Sequence, residues 1–224
     1  MKNFLDKNFN VDNLILAVVY YICPASIICL ITYFGLISLT TPSNISLANL
    51  TAYFLTCITM LIVNLFIQDE DEPCDGIFNT IFSVFLSASG LIVLNLLLAK
   101  LTGIISVYLG FSSLPANEQI LDYYLTNDGA MFQTIYTVAV APVCEELCFR
   151  KGIMGFFKNK NIGMIVSSIM FGLIHVSTMD LQNLIFLPCY VILGLYLAYD
   201  YKVHNNIKRT MSVHILNNIF TFIF

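Results

Sequence analysis

Asn13 to Gln68 reads NLILAVVYYICPASIICLITYFGLISLTTPSNISLANLTAYFLTCITMLIVNLFIQ, without one charged side chain between Asp12 and Asp69. The run is broken once, at Thr40-Thr-Pro-Ser-Asn44, a composition that favours a turn. Each half approaches or exceeds the ~20 residues that cross a hydrocarbon core of ~30 Å. Two membrane helices joined by a short hairpin are therefore expected here. The remaining chain repeats the pattern, with further apolar spans at about 76 to 99, 131 to 156, 161 to 179, 181 to 201 and 210 to 224.

Composition agrees with this reading. The 224 residues are 58% hydrophobic and only 11% charged, whereas soluble domains carry about a quarter charged residues. The fold expected is all-α, a polytopic transmembrane bundle of about seven spans. It is read as one integral membrane domain, residues 1–224, in which 1–128 supply N-terminal spans and 129–224 a core carrying the polar motifs. Residues 102–129 mix apolar and polar stretches and suit a re-entrant or interfacial segment. Asp6 and Asp12 flank the first span together with lysines, and no small-residue cleavage pattern follows it, so it is expected to be retained.

A net charge of −4 and the lack of a basic stripe with interleaved aromatics argue against a nucleic-acid partner. Of the seven cysteines, all but Cys74 lie in apolar runs and none form C-x-x-C pairs. Cys144 and Cys148 are expected to be small buried residues. With the N-terminus in the cytoplasm, seven spans put Lys2, Lys7, Lys158, Lys160, Lys202, Lys208 and Arg209 on one side and leave Lys100 near the other, as the positive-inside rule asks. The acidic run Asp69-Glu-Asp-Glu72 then becomes a solvated cytoplasmic loop.

Ionisable groups inside apolar spans are costly, so they are candidates for function. Glu145 and Glu146 sit side by side in Val138-Ala-Val-Ala-Pro-Val-Cys-Glu-Glu-Leu-Cys-Phe-Arg150. On a helix, Glu146 and Arg150 share a face and can pair, while Glu145 is turned about 100° away. A carboxylate in an apolar pocket is disfavoured as an anion and suits a general base near neutral pH. The alternative for this pair is helix locking through ion pairs. Phe171-Gly-Leu-Ile-His175 places a histidine on a run with no other ionisable residue, and His214-Ile-Leu-Asn-Asn218 puts His214 and Asn218 on one helix face. His204, in Lys202-Val-His-Asn-Asn206, reads as surface.

Together these groups suit amide hydrolysis: a base to activate water, imidazoles to orient it, and an amide to donate to an oxyanion. No H-E-x-x-H is present, and Ser87-Ala-Ser-Gly90 lacks the first glycine of a serine-protease motif.

Glu145-Glu146-x-x-x-Arg150, Phe171-x-x-x-His175 and His214-x-x-x-Asn218 resemble, in order, the three motifs of the CAAX-protease and bacteriocin-processing family of membrane proteins, also called Abi proteins. The resemblance covers roughly residues 130 to 220 and implies a helical intramembrane endopeptidase. It makes Glu145 the base and His175 its partner on the water. His214 and Asn218 become oxyanion donors, and Glu146 with Arg150 holds the site in shape. It further implies a multi-pass protein of a bacterial plasma membrane, acting on a small peptide or a membrane-anchored protein, in peptide maturation or self-immunity. Glu145, His175 and His214 could ligate a divalent metal such as zinc, and the same groups also suffice for a metal-free mechanism. Two other readings stay open at this point: a non-enzymatic immunity or peptide-binding protein, and a small proton-coupled transporter.

Overall fold

The computed structural model of the chain describes residues 8–67, 76–176 and 178–223. Lys2, Lys7, the acidic run at 69–72 and Cys74 lie outside these residues. The described chain is helical, and its single β-type pairing is an isolated bridge between Phe9 and Phe157. The helices are α1 (Leu14–Tyr33), α2 (Pro42–Asn64), α3 (Ile77–Tyr108), α4 (Ala116–Leu125), α5 (Ala130–Ile135), α6 (Ala141–Glu146), α7 (Lys160–Ile174), α8 (Leu181–His204) and α9 (Ile207–Ile223). Two π-helical stretches, Tyr136–Val140 and Leu147–Met154, join α5 to α6 and extend α6.

The chain divides into two compact units, Met1–Asp69 with Ile120–Lys158, and Glu70–Gln119 with Asn159–Phe224. In the first, α1 and α2 form the expected hairpin. The turn chemistry at Thr40–Asn44 acts as a helix start: the Thr41 side chain accepts the Asn44 amide N–H, and Pro42 occupies the first turn, where its missing N–H costs nothing. Both helices pack against the run from Ala130 to Met154. Leu16, Ala17, Ala52, Met60, Leu147 and Phe149 are buried there. Gly152 lets α1 come close, since a β-carbon would stand 3.2 Å from the Ala17 backbone nitrogen.

In the second unit α3, α8 and α9 pack around Val84, Ala88, Leu91, Leu193, Leu197 and Val213, and α7 packs against α8. α7 and α8 lie close together through small residues: a β-carbon on Gly194 would meet Phe171 at 2.9 Å, and one on Gly172 would meet Val191. The outward faces are apolar, with Phe78, Phe82 and Leu86 exposed along α3, as lipid-facing surfaces must be.

Val11–Tyr33, Pro42–Asn64, Ile77–Tyr108 and Leu181–His204 are long and apolar enough to cross a membrane. The expected span at 161 to 179 is shorter. α7 has 15 residues and stops at Ile174, so His175 caps its end instead of lying within a span. The reason is local. Asp180 caps α8 by accepting the Asn183 amide N–H, which claims the polar residues after His175 for a turn and a new helix start. The mixed stretch at 102–129 holds the end of α3, a turn and the short helix α4.

Candidate functional site

In the first unit Glu145 and Glu146 end α6, between the two π-helical stretches. Pro142 has no N–H to offer the Val138 carbonyl, and the turn ahead of it is wound wider, a departure from α geometry often found at functional sites. Glu146 and Arg150 are fully buried, with Nε of Arg150 3.1 Å from Oε2 of Glu146, the pairing expected from their spacing. Glu145 is 8% exposed. Its carboxylate lies within electrostatic reach of Tyr20, Tyr53 and Tyr136. The Tyr53 and Tyr136 hydroxyls are hydrogen-bonded to each other, and their rings are 4.9 Å apart. These tyrosines come from three separate segments, so no spacing in the sequence could link them to Glu145. Cys144 and Cys148 are buried free thiols as expected, and Cys144 donates to the Tyr53 carbonyl.

In the second unit the two histidine motifs meet. Nδ1 of His175 is 2.8 Å from the Phe171 carbonyl oxygen. A carbonyl only accepts, so Nδ1 carries a proton, and in the neutral ring the lone pair that a base, a water acceptor or a metal ligand needs is on Nε2. The Phe171 ring lies 4.6 Å from the His175 ring and 5.9 Å from the His214 ring. The first residue of Phe171-x-x-x-His175 is thus both the hydrogen-bond acceptor for one histidine and the wedge between two. On its other side His175 stacks on Tyr190, at 4.8 Å and 21° between planes.

His214 is buried and Asn218 half-buried on α9. Asn217 donates to the Asn218 carboxamide oxygen at 3.2 Å. Asn95 of α3 donates in turn to Asn217, at 3.5 Å. His204 is exposed, as read from sequence.

Arg209 is 5% exposed and 3.1 Å from Asp200, with further bonds to the Ser87 hydroxyl and the Ser83 carbonyl. Burial of this cation, which α9 carries, is possible because α8 supplies an anion and α3 two acceptors. The sequence signal was Asp200, an acidic residue in an apolar run.

No three His, Cys, Asp or Glu side chains among the described residues gather as a metal cluster within either unit. Glu145 belongs to the first unit, and His175 and His214 to the second.

Fold and composition define a multi-pass helical membrane protein. Residues 127–220 match the family model of Rce1-like type II CAAX prenyl endopeptidases. Over that stretch, which contains the three motifs, the chain is similar to that family. An uncharacterized protein of Mycoplasma capricolum is 40% identical over 73 residues, 32% of this chain and 21% of that protein. The UPF0177 protein YxdF of Lactococcus lactis is 33% identical over 81 residues, 36% of this chain and 43% of that protein. The matched segments thus span less than half of either relative. No solved structure matches the chain.

Proposed function

We propose that the chain is an intramembrane endopeptidase of the CAAX-protease type, acting by water that Glu145 activates. The observation that carries this reading is the buried Glu146–Arg150 pair beside Glu145, within a stretch that matches an endopeptidase family. Burying an ion pair carries a desolvation cost that only close geometry and further hydrogen bonds offset. Here it fixes the helix face on which Glu145 stands.

In the proposed reaction Glu145 takes a proton from water, with the water held by Nε2 of His175. The hydroxide adds to the scissile carbonyl carbon, and the negative charge moves to the carbonyl oxygen. His214 and Asn218 donate to that oxyanion. Collapse breaks the C–N bond as Glu145 returns its proton to the leaving amine, giving a free carboxylate and a free amine. Glu146 and Arg150 take no proton and hold the helix.

The substrate proposed is a small peptide or a membrane-anchored protein, in a bacterial plasma membrane, with the N-terminus of the chain in the cytoplasm. Maturation of a secreted peptide such as a bacteriocin, or self-immunity against one, fits this placement. The test compares membrane and secreted peptides from native cells carrying either the wild-type chain or Glu145→Gln at equal abundance. An uncleaved precursor that accumulates with the variant alone is expected, and it identifies the substrate. Matching peptide profiles in cells that keep their phenotype would overturn catalysis in favour of a binding or immunity role.

A further inference from the structure

Beyond the three motifs, His175 rests on a support that begins at α4. The Ala116 amide donates to Oδ1 of Asn183 at 3.2 Å, while the side-chain amides of Gln182 and Gln119 donate to the Leu114 carbonyl at 3.0 and 2.8 Å. Asn183 is 2% exposed and is itself held, its backbone N–H by Asp180 and its side-chain amide by Thr178 and Asp180. The first turn of α4 is thereby pinned to the start of α8. That turn carries Asn117 and Glu118, and each presents a side-chain oxygen 3.1 Å from the Tyr190 hydroxyl. The Tyr190 ring is the surface on which His175 stacks.

We propose that Tyr190, held by Asn117 and Glu118, is a positioning residue that fixes the plane of the His175 ring. The inference rests on the reading that His175 acts in the site. His175 follows the last residue of α7, and its ring is met by the Phe171 carbonyl at Nδ1 and by the Phe171 ring, both from its own helix. Tyr190 brings the contact from a second helix. One hydroxyl proton faces two acceptors, so either Asn117 or Glu118 alone suffices to hold the tyrosine rotamer. Burying the Glu118 carboxyl raises its pKa, and the Tyr190 hydroxyl that donates to it opposes that rise.

The test uses the full chain in lipid nanodiscs with ¹⁵N-labelled imidazoles, whose three histidines are distinguished by substitution. The wild type is expected to give one sharp His175 pair with Nδ1 protonated. Tyr190→Phe keeps the ring and loses its anchor, and Tyr190→Leu loses both. The His175 signals should broaden in the first and split between tautomers in the second, while His204 is unmoved and reports folding. Glu118→Gln keeps an acceptor and should match the wild type, whereas the double variant Asn117→Ala, Glu118→Leu should reproduce Tyr190→Phe. Once a precursor is known, Tyr190→Phe should lower kcat roughly 10- to 100-fold with KM little changed, as expected when a catalytic group is misplaced by a fraction of an ångström to about 1 Å. Sharp, unshifted His175 signals in Tyr190→Phe and in the double variant would overturn the inference. That outcome is separate from the Glu145→Gln peptide comparison. If Tyr190→Leu does not fold, the other two variants still decide.

Discussion

Glu146 and Arg150 are each fully buried, so each is affordable only while the other is present. Arg150→Met should cost roughly 3–5 kcal/mol of stability because it leaves the Glu146 carboxylate buried without its cation. Pairing it with Glu146→Leu should recover most of that loss, and unfolding of the purified protein in detergent measures both. Glu118 carries a different kind of prediction. Burial raises its carboxyl pKa, and the bond from Tyr190 opposes that only in part. In the range between the unfolded pKa, about 4.3, and the higher folded value, the native state binds more protons than the unfolded one. The stability it contributes is therefore complete below the unfolded pKa and is lost as pH rises through the folded one. Amide exchange of residues 116–119, corrected for intrinsic rates, should show protection falling over that window in the wild type and staying flat in Glu118→Gln.

At the scale of elements, α7 and α8 are the pair on which the histidines depend. Gly194 leaves room for the Phe171 ring, and that ring lies against both His175 and His214. Gly194→Ala should push the ring aside at a cost of about 1–3 kcal/mol. The effect on function should exceed the effect on stability, because one displaced ring disturbs two histidines. Cleavage of the precursor compared with the unfolding midpoint separates these. The π-helical stretches around Glu145 were beyond sequence reading, since a helix pattern that counts turns by 3.6 residues has no signature for a wider turn; only Pro142 hinted at one. The end of α7 could have been read: Thr178 and Asp180 form a helix-start signature. Hydropathy alone ran through it.

For the whole molecule, the proposed orientation puts Lys202 on the cytoplasmic side and Lys100 on the other. Within the second unit, Lys202 donates to Asn161 at the start of α7, so the basic end of α8 and the start of α7 lie together. In intact cells, Lys100→Cys should react with a membrane-impermeant thiol reagent, whereas Lys202→Cys should react only after the cytoplasmic face is opened. The reverse pattern would invert the topology.

The sequence by itself determined the helical membrane class, the α1–α2 hairpin, the Glu146–Arg150 pair and the shared face of His214 and Asn218. These follow from hydropathy, turn chemistry and helix periodicity, which act between residues near in the chain. Tertiary structure alone decided that the Phe171 ring meets two histidines, that Tyr190 and Glu118 stand behind one of them, that three tyrosines lie within electrostatic reach of Glu145, and that Asp200 pairs with buried Arg209. Those contacts join residues far apart in sequence whose approach depends on helix packing, and packing is set by small residues such as Gly194 that carry no chemical signal of their own.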